Sequence, residues 1–322
     1  MNARPIVYVS KCLGFDKCRY NGITIYDEFV EKLKPHVDYV TVCPEVEIGL
    51  GIPRNPVRVV AHKDEKKLMQ PATGKDVTPA MNDFCQTYLG QIDEVDGFLL
   101  KSRSPSCGIK DVKIYSRMEK SASIGKGAGF FGSAVMARFP KHPVEDEGRL
   151  RNFRIREHFL TQLFAYSKFR HTKKTRSMGA LVQFQAESKL LLMAYNQKEL
   201  KILGQIVANQ DKRPVDDVYN LYEDHFYNAL CTPARYTSNI NVLMHAMGHF
   251  SKDLTPQEKE YFLASLERYR DGKIPLSATL SILRSWIVRF ENGYLNQQTF
   301  FEPYPEALVE ITDSGKGRKL TK

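Results

Sequence analysis

The stretch "VDGFLLKSRSPSCG" (residues 95–108) passes from an apolar run into a loop of three serines, two cations and a thiol. Its first half, ending in Phe98, Leu99 and Leu100, has the length and composition of a buried strand. "PIVYVS" (5–10), "DYVTVC" (38–43) and "VRVVA" (57–61) share that character: short, rich in β-branched residues and closed by turn residues. Helical periodicity lies between them, over 25–33, 79–91 and 133–139. Strand and helix in alternation predict a parallel α/β sheet. Such a sheet brings every strand exit to one edge, so the polar loop after Leu100 opens where α/β proteins build their sites.

From about residue 150 the strand signals fade. A 3.6-residue periodicity covers 150–172, 178–197, 200–208, 214–230, 232–249, 256–271 and 275–292. Proline at first-turn positions, as in "LTPQEKEYF" and "KIPLSATL", marks several starts. The predicted fold is an α/β parallel-sheet N-terminal domain (1–145) followed by an all-α C-terminal domain (146–311). A basic tail (312–322) is expected to be disordered. No apolar run approaches the roughly 18–20 residues that span a bilayer. The start "MNARPIVYVSKC" lacks the apolar core of a signal peptide, so a cytoplasmic protein is expected. The net charge of +10 is unevenly placed: +2 over residues 1–148 and +8 over 149–322. That excess favours a polyanionic partner for the second half.

Six cysteines are too few for a disulfide scaffold in 322 residues. Cys12, Cys43 and Cys107 each follow a predicted strand, which would gather three thiols at the carboxyl edge of the sheet. Thiolates converging there can hold a soft metal or an iron–sulfur cluster. The competing reading is three inert core thiols, but the neighbours "KCLG", "CPE" and "SPSCG" are turn-like and polar. Three ligands leave one coordination position open, unless Cys18 fills it. Cys85 and Cys231 read as core.

Other signals carry less. "GAGFFG" (127–132) spells a dinucleotide pattern but follows no convincing strand, so a tight anion nest is expected and no nicotinamide cofactor. "HAMGH" sets His245 and His249 four apart on a helix, without the glutamate or third ligand of a zinc motif, and reads as packing. Residues 149–176 hold nine cations against one acid, Glu157, interleaved with Phe153, Phe159, Phe164, Tyr166 and Phe169. That is either a solvated face over a core face or an RNA surface; the charge asymmetry favours RNA.

"VSKCLGFDKCRYNG", "VCPEVEIGLGIPR", "LLKSRSPSCGIKDVKIY" and "GKGAGFFG" occur in that order and resemble the signature blocks of the bacterial thiouracil desulfidase family. "FRIREHFLTQLFAYSKFRH" and "NVLMHAMGHFSKDLTPQEKEYF" resemble the helical domain often fused to it, as in two-domain desulfidases acting on thiolated tRNA. The resemblance implies a 4Fe-4S cluster held by Cys12, Cys43 and Cys107, with the fourth iron taking the substrate's sulfur. It implies Glu45 as the catalytic carboxylate and Ser104 as the catalytic serine, Ser102 and Ser106 being close alternatives.

The expected reaction is hydrolytic removal of sulfur from a thiouridine in tRNA, 4-thiouridine before 2-thiouridine. A soft iron would polarise the thiocarbonyl while Glu45 takes a proton from water. RNA is expected to meet Lys101, Arg103, Arg151, Arg154, Arg156, Lys168, Arg170, Lys173, Lys174 and Arg176. The alternatives are desulfuration of free thiouracil, or a non-catalytic RNA-binding protein with a structural zinc on the cysteines.

Overall fold

Val7 and Val9 point to one face of the first strand and are fully buried, and Phe98, Leu99 and Leu100 are sealed on both faces. Full burial of that kind is what a parallel strand covered by helices requires. The computed structural model describes residues 4–63, 65–119 and 121–310; the expected tail lies outside them. Two compact units divide these residues, one running through Ser167 and the other starting at Lys168.

The first unit holds, in chain order, β1 (Ile6–Ser10), α1 (Glu28–Leu33), β2 (Asp38–Val42), α2 (Pro44–Glu47), β3 (Arg58–His62), β4 (Glu65–Gln70), β5 (Lys75–Asp76), α3 (Thr78–Gly90), β6 (Gly97–Leu100), β7 (Val112–Tyr115), β8 (Ser123–Gly127), α4 (Phe130–Arg138) and β9 (Val144–Asp146). One sheet has the order β2-β1-β6-β9 with every pair parallel. The chain leaves β1 toward β2 on one side and reaches β6 on the other, so a topological switch point falls between β1 and β6.

The "VRVVA" strand does not join this sheet, as the alternation had suggested. It forms β3 of a second, mixed sheet, order β5-β4-β3-β7-β8, antiparallel except for β3 with β7. A tight turn through Lys63, in the left-handed region (φ 53), folds β4 straight back on β3. β4 and β8 escaped the sequence reading because their side chains are mostly charged or absent: "EKKLMQ" and "SIGKG" contain no apolar run.

Helix α5 (Phe153–Lys174) starts in the first unit and ends in the second. Within the first unit, the Tyr166 hydroxyl donates to the Lys141 carbonyl at 2.9 Å, and Leu163 packs on Gly97, where an added Cβ would lie only 3.0 Å away. The second unit continues with α6 (Met178–Tyr195), α7 (Gln197–Ala208), α8 (Val215–Leu230), α9 (Tyr236–Gly248), α10 (Pro256–Arg270), α11 (Leu276–Arg289) and α12 (Gly293–Asn296). Helix starts carry side-chain caps: Ser177 and Asn196 accept from the first turns of α6 and α7, and Thr255 with Glu258 closes a capping box on α10. An aromatic knot of Phe169, Phe184, Tyr222 and Phe226 fills part of its core, with Phe169 5.5 Å from Phe184 and 5.4 Å from Tyr222. The expected fold class, a parallel α/β sheet followed by helices, is the one observed. No helix among the described residues is long and apolar enough to cross a membrane.

Candidate active site

Three loops leave the carboxyl edge of the parallel sheet beside the switch point. The first places Cys12 two residues past β1. The second places Cys43 as N-cap of α2 directly after β2, and the third brings Cys107 back after β6. All three thiols, together with Cys18, line one cavity of about 480 Å³. Cys18, Cys43 and Cys107 are buried and Cys12 is half-buried. Cys18 lies between two of the others, in side-chain hydrogen-bond contact with both Cys12 and Cys43. That contact with Cys12 and desolvation push Cys18 up to about 11. Burial pushes Cys107 up to about 12, against hydrogen bonds from Ser10 and Ser104. The Cys18 contact and burial raise Cys43 as well.

Among the described residues, no three Cys, His, Asp or Glu side chains converge as they would on a single ion. Four thiols around one cavity supply soft sulfur donors, the set taken by a group bound through several thiolates. An iron–sulfur cluster, which is bound by thiolates on separate irons, is such a group. The donor set therefore fits the cluster that the sequence implies.

Glu45, on the first turn of α2, is fixed at both oxygens. Arg54 donates to Oε2 from Nε at 2.9 Å and from a terminal nitrogen at 2.8 Å. The Ser106 hydroxyl donates to Oε1 at 2.9 Å. Arg54 also reaches the carbonyls of Cys18 (2.9 Å) and Gly51 (3.1 Å), tying the carboxylate to the segment that carries Cys18. Its side chain is 4% exposed, so the pair is shielded from water and held as a charge-assisted contact. Nothing in the sequence singled out Arg54. It lies in the turn-rich "GLGIPRNP", nine residues from Glu45 and outside any periodic element.

The loop 101–108 answers why serines and cations crowd a strand exit. Lys101 N–H donates to the Ser10 hydroxyl at 2.8 Å, while the Lys101 ammonium pairs with Glu147 just past β9. Ser102 N–H donates to the same carboxylate at 2.8 Å. Ser104 Oγ accepts from the N–H groups of Ser106 (3.3 Å) and Cys107 (3.1 Å), which caps the turn that aims Cys107 inward. Of the three serines, then, Ser106 touches Glu45, Ser104 shapes the turn and Ser102 anchors its start.

The far side of the loop rests on α4. N–H groups of Gly129, Phe130 and Gly132 donate to the carbonyls of Gly108 (2.7 Å), Pro105 (3.2 Å) and Ser106 (3.0 Å). A Cβ on Gly129 would come within 2.6 Å of the Pro105 and Ser106 carbonyls, and one on Gly132 within 2.5 Å of the Gly108 carbonyl. The expected anion nest is therefore corrected: these amides are already used on the cysteine loop. A strand, β8, does precede the glycines, contrary to the sequence reading, but it is an antiparallel strand at the edge of the second sheet.

The cations expected to meet RNA are dispersed. Lys101 is spent on Glu147. Arg156 is 5% exposed and donates to the Leu150 carbonyl at 3.0 Å, so it does not reach a phosphate. Lys168, Lys173 and Arg176 sit against Glu187 (2.6 Å), Glu223 (2.8 Å) and Asp216 (3.5 Å). Arg151, Arg154 and Lys174 are exposed, Arg170 is half-buried, and Arg103 is exposed at the cavity mouth. The rings of Phe159, Tyr166 and Phe169 are buried. Those rings are the core face of α5 rather than platforms for bases. His249 stacks on Tyr294 and His225 pairs with Glu199, which accounts for two of the histidines. Cys85 packs in the core of the first unit, whereas Cys231 is exposed rather than core.

Comparison with known proteins falls on the same two regions. Residues 7–147 match the family described as 2-thiouracil desulfurase, and residues 189–305 match one described as a protein of unknown function, DUF1722. The uncharacterized protein YbgA of Escherichia coli (strain K12) is 30% identical over 158 residues, 48% of this chain and 93% of the relative. The uncharacterized protein YbbK of Bacillus subtilis (strain 168) is 34% identical over 110 residues, 32% of this chain and 73% of the relative. A solved structure named as the 4Fe-4S-dependent thiouracil desulfidase TudS aligns with a TM-score of 0.37 at 28% identity, covering 46% of this chain and 93% of that one. The chain belongs to the family of these relatives, joining a 2-thiouracil desulfurase domain to a DUF1722 domain.

Proposed function

We propose that the chain is a 4Fe-4S-dependent desulfidase that converts a thiouridine of tRNA, 4-thiouridine first, to uridine without net electron transfer. The observation that carries this reading is the convergence of Cys12, Cys43 and Cys107 from three parallel strand ends on a cavity that also holds a doubly fixed carboxylate. Those three cysteines would hold the cluster, and Cys18 lies within reach as a further thiol. When bound, the cluster supplies a Lewis-acidic iron with affinity for soft sulfur.

The chain's own residues do the rest. Glu45 accepts a proton from the attacking water, and Arg54 keeps its second oxygen turned away from that task. Ser106 holds Oε1 in register with the loop that bears Cys107. Val42, Pro44, Pro56 and Val57 form the apolar part of the wall against which a pyrimidine ring packs. The net charge of +8 over residues 149–322 supports a polyanionic substrate rather than the free base.

The test uses protein purified and reconstituted without oxygen, incubated with bulk tRNA and followed by nucleoside analysis. Loss of one thiouridine with equal gain of uridine is expected, and Glu45→Gln should lower turnover by about 10²–10⁴-fold with the cluster's visible absorption kept. Parallel loss of absorption and turnover would refute the division of labour. Turnover of free thiouracil with tRNA untouched would move the substrate to the free base.

A further inference from the structure

The mixed sheet carries a second hollow beside the cysteine cavity. It encloses about 560 Å³ and is lined by Arg58, Arg103, Lys113, Tyr115 and Lys126, with Asp111 as its acid. Pro56, Val57, Arg103 and Pro105 line both hollows, so the two adjoin with Arg103 at the join. Arg103 is exposed and held at φ 58, a left-handed conformation that a non-glycine residue keeps only under constraint.

The charge arrangement in this hollow works against the protein's own stability. Lys113 on β7 and Lys126 on β8 are direct cross-strand partners. Like charges in that position repel. Asp111 reaches Lys126 at 3.5 Å from an exposed position, and Lys113 has no carboxylate partner among the described residues. This contrasts with Lys168 and Lys173 of α5 and Arg176 just beyond it, each beside its own acid. Arg58 lies 4.5 Å from the centroid of Tyr115, pairing a cation with a ring at the hollow's wall. A Cβ added at Gly127 would meet Ile114 and the Lys66 ammonium at 3.2 and 3.3 Å, so a third lysine reaches β8 from the other face of the sheet.

The geometry points to this hollow as the groove that carries the RNA backbone next to the nucleotide whose base enters the cysteine cavity. Lys113, Lys126 and Arg103 meet its phosphates, and Tyr115 faces a neighbouring base. The inference rests on the proposed tRNA substrate. A base reaches a closed cavity only when it is unstacked, and the phosphates on either side must then lie at the cavity mouth. Cations that repel one another in the free protein gain from a polyanion placed between them.

The experiment measures binding of bulk tRNA and steady-state turnover with the full, cluster-loaded chain at several salt concentrations. Lys113→Gln/Lys126→Gln is expected to reduce the slope of log affinity against log salt by between about 1.4 and 1.8, and to weaken binding about tenfold at 0.15 M salt. KM for tRNA should rise with kcat kept, and Lys113→Arg/Lys126→Arg should restore it. Arg103→Gln, on the loop at the join, should reduce the slope by about 0.7 to 0.9. Retained cluster absorption shows that each variant is folded. Slopes equal to wild type in both Gln variants would overturn the groove. If the wild type leaves every thiouridine intact, the reading of tRNA as the desulfidase substrate falls, while the salt slopes still decide whether this groove holds RNA.

Discussion

Ser104 and Ser106 stand two residues apart and do different work. The hydroxyl of Ser106 contacts the Glu45 carboxylate, whereas that of Ser104 accepts from two backbone N–H groups of its own turn and lies against the Cys107 thiol. A hydrogen bond to a charged group is worth about 1.5–3 kcal/mol, so Ser106→Ala should lower kcat by about 10- to 100-fold while iron content stays full. Ser104→Ala loosens the turn instead. It should cost about 1 kcal/mol in a denaturant titration and lower the iron retained after reconstitution, with kcat per bound cluster close to wild type. Which hydroxyl meets the carboxylate was not legible in "SRSPSC", because the turn's dihedrals, and not residue type, decide where each points. The cysteines were legible, since a thiol directly after an apolar run can only emerge at the strand's exit. Arg54 was not, because nothing local in its turn-rich stretch tells that it folds back on α2. The cations of 149–176 misled in part: charge says nothing about which side of a helix is buried, and Arg156 proves to be inside.

Helix α4 shows how one element can serve another. Its first amides and its two glycines form a seat for the carbonyls of the cysteine loop, with no space for a methyl group at Gly129 or Gly132. Gly129→Ala and Gly132→Ala should each cost about 1–3 kcal/mol through overpacking. They should also displace Cys107, which would be read as a lower iron-to-protein ratio together with a lower unfolding midpoint. Full iron loading in both variants would show that the seat is dispensable. The helices of the second unit were readable because their apolar periodicity and first-turn prolines agree, as at Pro256. Strands β4 and β8 were not, because they lie in a small sheet with much of one face in solvent, so burial left little apolar pattern in the sequence.

At the scale of the molecule, buried titratable groups set how stability follows pH. Desolvation raises Glu157 to about 7 although Arg154 and Arg156 pull it down, so folding favours its protonated form. Its contribution is complete below its ordinary value of 4.5 and is lost as pH rises through about 7. His142 and His158 are pushed by burial down to about 4 and fold as neutral rings. Their contribution is complete above 6.5 and is lost as pH falls through about 4. Glu157→Gln should therefore stabilise the protein relative to wild type at pH 8, by no more than about 3 kcal/mol, and leave it unchanged at pH 4.5; urea titrations at the two pH values check this. A broader consequence follows from how the Cys107 loop is fastened. Glu147 and Ser10 hold its start and the amides of α4 hold its end, and neither anchorage uses the thiol. Small zinc domains unravel with their metal, because the metal supplies their folding energy. Here the cysteine loop is secured by protein contacts alone, so a group lost from its thiols leaves the receptor standing, ready to be filled again.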